Sequence, residues 1–306
     1  MTREYIVWMI AETYLHPGSG QALDVVDLPV AREEPSGTPH ISGASMKGAL
    51  RQSVRESINP DDLEEADADP LVTALFGKSD DAAGAWLIGE ARLALLPMRS
   101  LSQPFYWVTC PQILRRLSQD LKRLNDPLQI QSWTPAPNGD TAYGPTNAGA
   151  VVLEDLRFEV QSFPADWVSA LAEAFSAITT EDQLPELMNR LLVISDSHFE
   201  WLARHGLPVR ARVRLEAESK RVETGALWYE ELIPTDAVLY SLWSQRHGGK
   251  LPGGENLSDG LRRALEPSRG YLQVGGDATV GLGWVRMVSA LFIYEQPQSA
   301  DGEASQ

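Results

Sequence analysis

The segment Tyr5 to Tyr14 is rich in Ile, Val, Trp and Tyr and predicts a strand, closed by the turn HPGSG at 16–20. From Ser45 the apolar period lengthens. Met46, Ala49, Leu50 and Val54 share a stripe with Lys47, Arg51 and Arg55 beside it, which predicts an amphipathic helix. Between strand and helix runs a polar loop of about 25 residues carrying Asp24 and Asp27, a length that in a compact domain points to function or disorder. Trp86 to Leu95 predicts another strand, and Cys110, Ile113, Leu114, Leu117, Leu121 and Leu124 an amphipathic helix with a basic outer face.

Residues 133–150 (WTPAPNGDTAYGPTNAGA) read as a flexible excursion, followed by a strand from Val151 to Val160. Helical stretches centre on Trp167, Leu171, Phe175 and Ile178, then on Leu187, Leu191 and Leu192, with Asp196 as the N-cap of a short turn through Phe199 and Trp201. From 209 the period is two: Val209, Ala211, Val213 and Leu215 alternate with Arg210, Arg212, Arg214 and Glu216. A polar turn, ESKRVETG, leads to a strand over Ala226 to Ile233, so the pair predicts a long hairpin with one arginine-bearing face. Protection of a strand edge by charge is the competing account of those arginines. RHGGKLPGGENLS reads as a loop and Val285 to Tyr294 as a final strand. The sum is an α+β protein with several insertions and no internal repeat.

Composition changes this picture in three ways. The 306 residues suffice for one elaborated domain or two, and no run of about 18 apolar residues could span a bilayer. With Cys110 alone, an internal disulfide and a multi-cysteine zinc site are both excluded. A net charge of −16 argues against nucleic acid, yet its distribution is uneven. The run Asp61, Asp62, Glu64, Glu65, Asp67, Asp69 and the tail hold acid; Lys47, Arg51, Arg55, then Arg115, Arg116, Lys122, Arg123, then Arg210, Arg212, Arg214, Lys220, Arg221 hold base.

The histidines at 16, 40, 198, 205 and 247 match no zinc motif, and Gly275, Gly276, Gly281 and Gly283 lack the Lys and Ser/Thr of a Walker loop. Those glycines could present bare N–H groups to phosphates, a plain turn being the alternative. SGASMKGALR places Lys47 and Arg51 one turn apart near a helix N-terminus, which suits an RNA backbone or an ordinary capped helix. HPGSGQALDVVD puts His16, Asp24 and Asp27 on one irregular segment, able to orient a 2'-hydroxyl, to bind Mg2+, or only to stabilise turns.

Five segments, HPGSGQALDVVDLPVAREEPSGTPHISGASMKGALR, ARLALLPMRSLSQPFYWVTCP, ISDSHF, KRVETGALWYEELIP and VGGDATVGLG, occur in order along the chain. Together they resemble the RAMP-superfamily backbone subunit of type III-B (Cmr-type) CRISPR effectors, departing at Ser42, where Pro is frequent, and Met46, where Leu is usual. The resemblance implies a single domain over 1–295 and an acidic tail at 296–306. Its palm would be ferredoxin-like (RRM-like) with inserted helical elements, and its protruding β-hairpin thumb would span about 209–232. It implies a cytoplasmic ribonucleoprotein in which copies of the chain, with other Cmr-type subunits and no membrane, line a guide RNA and cut complementary target RNA. The implied catalytic residue is Asp27, holding Mg2+ or Mn2+ or positioning the nucleophile, with His16, Tyr229 and Glu230 auxiliary. Lys47, Arg51, Gly275, Gly276, Gly281, Gly283, Arg210 and Arg212 are the implied RNA contacts. A non-catalytic guide-binding backbone is the alternative; a guide-processing nuclease is disfavoured because only His16 lies in a suitable loop.

Overall fold

The computed structural model describes residues 4–20, 26–78, 82–124, 133, 136–145, 149–216, 218, 221–246, 251 and 254–292. Asp24, Lys220, His247 and the acidic tail lie outside them. The chain opens with β1 (Glu4–Ala11), three residues shorter at its end than expected, and β2 (His40–Ile41). Helix α1 (Gly43–Ile58) follows, capped by Ser42, whose hydroxyl accepts the Ser45 N–H. The acidic run is not a featureless surface: Asp62 caps α2 (Leu63–Asp67) and Asp69 caps α3 (Pro70–Phe76). The short ribbon β3 (Gly77–Lys78) and β4 (Ala82–Ala83) comes next.

The strand expected over 86–95 is two, β5 (Trp86–Ile88) and β6 (Ala91–Arg99). Between them Gly89 turns so close to a neighbouring strand that a Cβ there would lie 2.7 Å from the Leu242 carbonyl oxygen. β7 (Phe105–Thr109) and α4 (Pro111–Arg123) complete this stretch. The 133–150 region is no simple excursion: β8 (Thr141–Gly144) joins the main sheet, and Trp133 is buried edge-on against Trp167. The strand expected over 151–160 is a hairpin, β9 (Ala150–Leu153) and β10 (Leu156–Ser162), reversing at Glu154 with φ 50°.

α5 (Ala165–Ser176) and α6 (Leu184–Asn189) are followed by β11 (Leu191–Val193), so Leu191 and Leu192 are strand residues. Their all-buried run has no period with which to separate strand from helix. Helix α7 (Asp196–His205) is capped by Ser195, not Asp196. Asp196 instead caps α4, accepting the Gln112 N–H at 2.8 Å. β12 (Val209–Leu215) and β13 (Val222–Glu231) form the separate two-stranded hairpin, β13 starting four residues before the expected Ala226. β14 (Val238–Gln245), α8 (Leu257–Leu265, capped by Asn256), β15 (Tyr271–Gln273) and β16 (Trp284–Val288) close the fold. The final strand thus ends at Val288, a 3-10 turn occupies Ala290–Phe292, and residues 293 and 294 lie outside the described chain.

One large mixed sheet runs β15-β16-β1-β14-β6-β7-β11-β8-β10-β9, with β2 on β6 and β5 on β14. β1 shows why it needs two cores: Val7, Met9 and Ala11 enter one cluster with α1, α3, α7 and α8, while Trp8 enters another with α4, α5 and α6. Successive residues of a strand point to opposite faces, so a strand covered on both reads as a continuous apolar run. Among the described residues no helix is long and apolar enough to cross a membrane.

Candidate functional site

The loop after β1 is stitched into the base of the hairpin by main-chain bonds. Leu15 and Ile233 exchange N–H···O contacts at 3.0 and 2.9 Å, Leu28 N–H donates to Tyr229 O, and Glu231 N–H donates to Leu28 O. Residues 28–32 therefore lie along the end of β13, and Asp27 sits where they begin. Its Oδ2 accepts the Tyr229 N–H at 2.8 Å, and the Tyr229 side chain is exposed. His16 is buried, its Nδ1 2.9 Å from the main-chain oxygen of Glu231.

The glycine segment closes the other side. Gly276 N–H donates to His16 O at 2.9 Å, and Gly283 N–H to Tyr14 O at 2.9 Å. At Gly275 (φ +80°) a Cβ would fall 2.6 Å from His16 O, and at Gly283 (φ +93°) 2.3 Å from Val274 O. Both positions require glycine for conformation and for space. Gly281 also has positive φ but faces open space.

The hairpin's basic face is partnered near its base and open towards its tip, where the Arg214 side chain is 69% exposed. Arg210 stacks over Tyr14, 3.9 Å from the ring centroid, and Arg212 pairs with Glu230 at 2.7 Å and Asp277 at 3.8 Å. The other face, Val209, Val213, Leu227 and Tyr229, is exposed. Glu230 is buried; burial raises its pKa, but the Trp228 Nε1–H bond, the Arg212 guanidinium and nearby His16 outweigh this and hold it below the ordinary value of 4.5. A depressed folded pKa contributes stability that is present above pH 4.5 and lost as pH falls through the folded value. The stability advantage of wild type over Glu230→Gln, followed by urea unfolding, is expected to be constant near neutrality and to shrink on acidification below pH 4.5; an advantage that grew there would contradict the assignment.

The structure thus brings together His16, Asp27, Tyr229, Glu230, Arg212 and Gly275–Gly276, with Arg210 alongside. Lys47 and Arg51 belong to another neighbourhood. Arg51 forks onto Asp67 at 2.7 and 2.9 Å and donates to Gly77 O, so the acidic run occupies this guanidinium. Lys47 lines a cavity of about 680 Å3 with Glu4, Glu90, Arg92, Asp120 and Arg123, beside the start of α1. Two residues of the Asp27 cluster escaped sequence reasoning: Glu231, whose carboxylate accepts Val30 N–H at 3.0 Å and pairs with Arg32, and Arg32 itself, which also donates to Gly37 O and Ala203 O. The paired acids of WYEE were a signal, since neighbours in a strand face opposite ways.

Among the described residues no group of three or more His, Cys, Asp or Glu could hold a metal. A dedicated cage is therefore not assembled there. A single carboxylate such as Asp27 still fits Mg2+, which commonly takes one or two protein carboxylates and completes its shell with phosphate and water.

The sequence profile of the RAMP superfamily matches residues 8–286, and the chain belongs to that superfamily. Within it the chain is Cmr4-like. It is 32% identical over 293 residues to the CRISPR system Cmr endoribonuclease Cmr4 of Pyrococcus furiosus, covering 93% of this chain and 95% of that one. It is 26% identical to the CRISPR system CMR subunit Cmr4 of Saccharolobus solfataricus, covering 90% and 93%. The crystal structure of oligomeric Cmr4 from Pyrococcus furiosus superposes with a TM-score of 0.70 at 26% identity, over 94% of this chain and 98% of that one. The mixed-sheet fold with inserted helices is the one these structures share.

Proposed function

We propose that this chain is a repeated backbone subunit of a type III-B CRISPR effector that binds guide RNA and, through Asp27, cleaves complementary target RNA at regular intervals. The observation that carries the proposal is the docking of Asp27 on the hairpin main chain beside His16, in a chain 32% identical to a protein named as an endoribonuclease. Copies of the chain and other Cmr-type subunits assemble on the guide. Lys47, the N-terminus of α1 and Arg210 offer cationic and N–H groups to its phosphates, whereas the Gly276, Gly281 and Gly283 N–H groups are taken by main-chain carbonyls. Such contacts are blind to sequence, because base pairing reads the target. With a net charge of −16, an isolated subunit binds RNA weakly and with steep salt dependence, and assembly supplies the affinity.

In the reaction the target's 2'-oxygen attacks the adjacent phosphorus in line, the P–O5' bond breaks, and a 2',3'-cyclic phosphate and a 5'-hydroxyl result. Asp27 would hold a bound Mg2+ or Mn2+, which would supply Lewis-acid stabilisation of charge on the phosphoryl oxygens. Arg212 and Glu230, paired with each other, stiffen the wall of the site, and Tyr229 fixes Asp27 through its N–H. A guide-binding backbone without cleavage is the second reading, favoured by the lack of a multi-carboxylate cluster among the described residues. The deciding experiment incubates the reconstituted complex with end-labelled complementary RNA and Mg2+ and resolves the products on a sequencing gel. A ladder at regular spacing is expected; uncut RNA that remains bound would move the chain to the second reading.

A further inference from the structure

Two main-chain groups of one strand hold the two candidate reactive side chains. Tyr229 N–H holds Asp27, and Glu231 O holds His16. Alternate residues of a strand are about 7 Å apart, so β13 fixes the spacing between the two anchor points. A carbonyl oxygen only accepts, so Nδ1 of His16 carries the proton, and the neutral ring has its lone pair on Nε2. Among the described residues Nε2 makes no hydrogen bond.

Nε2 is kept clear by Gly18. A Cβ at this position would lie 3.0 Å from Nε2, closer than side chains ordinarily approach, while one at Gly276 would lie an unremarkable 3.5 Å from Cδ2. Gly18 does not have the left-handed backbone that demands glycine, so contact with Nε2 is what an added methyl group would change.

We propose that Gly18 and the Glu231 carbonyl are positioning elements of the cleavage site: the carbonyl fixes the His16 tautomer and Gly18 leaves Nε2 uncovered, so that His16 accepts the 2'-hydroxyl proton of target RNA. The proposal rests on the cleavage reading above. As the O2'–P bond forms and the P–O5' bond breaks, the proton passes from O2' to Nε2, a water molecule protonates O5', and the imidazolium returns its proton to the resulting hydroxide.

The test compares single-turnover cleavage and target affinity of reconstituted complexes carrying wild type, Gly18→Ala, His16→Ala, the double variant or Asp27→Asn. Gly18→Ala is expected to slow cleavage by about two orders of magnitude at unchanged affinity, and the double variant to be no slower than His16→Ala. Losses that multiply in the double variant, or wild-type rates in either single one, overturn the proposal. Cleavage lost in Asp27→Asn but untouched by Gly18→Ala would defeat this proposal alone, whereas an inactive wild-type complex with target bound defeats the nuclease reading with it. Histidine-selective 15N spectra of the full chain give a readout independent of cleavage: His16 should show the Nδ1–H form, and the Nε2–H form would sink the idea.

Discussion

Asp27→Asn is expected to abolish target-RNA cleavage, by at least about two orders of magnitude, while folding and target binding stay at wild-type levels. Asparagine keeps an oxygen that can accept the Tyr229 N–H, so the start of the 28–32 segment remains pinned to β13. What disappears is the charge, and with it the affinity for a hard cation and the electrostatic hold on the transferring phosphoryl group. Alanine would remove both, which is why asparagine separates chemistry from architecture. The gel ladder and a mobility-shift titration of the same complexes give the two readouts. Loss of binding together with loss of cleavage would make Asp27 a structural residue; cleavage at the wild-type rate would remove it from the site altogether.

Elements with a clean period were legible. The stripe of Met46, Leu50 and Val54 placed α1, and the two-residue alternation from Val209 placed β12. Failures came where burial on both faces erases the period: Leu191 and Leu192 belong to an all-buried run that suits strand or helix alike. Others came where a local contact decides, as at Gly89 against the Leu242 carbonyl, or where Asn256 caps α8 inside a stretch that reads as loop. The fold class survived because the errors fell on boundaries and on insertions, not on the period of the framework.

The site was legible as a list of residues but not as a geometry. His16 and Asp27 lie 11 positions apart in the chain, and nothing in their spacing says that residues over 200 positions away hold them both. The arginines of the hairpin illustrate the limit. Their alternation gave the right strand, yet Arg210 lies over Tyr14 and Arg212 is paired with Glu230 and Asp277, and the opposite face carries the exposed apolar residues Val209, Val213, Leu227 and Tyr229. Arg51 is likewise committed to Asp67, an acid of the run at 61–69. Net charge misleads here because part of the acid is spent internally on cations.

The largest loss of stability is expected from Arg32→Ala. Glu231 is buried, and Arg32 is its charge partner while also bonding the Gly37 and Ala203 carbonyls. Removing the guanidinium leaves a carboxylate in the interior with the Val30 N–H and no counter-charge, which typically costs about 3 kcal/mol or more. Because the same pair fastens the 28–32 segment to β13 and to the end of α7, the loop that presents Asp27 should loosen first. Urea unfolding of the full chain should show a lower midpoint at an unchanged slope. Adding Glu231→Gln to Arg32→Met should recover more than half of the loss seen in Arg32→Met alone, since glutamine still accepts the Val30 N–H and no unpaired charge remains. If the double variant is as unstable as the two single losses added together, the pair is not coupled, and the Asp27 loop is held by its main-chain bonds to Tyr229 and Glu231 instead.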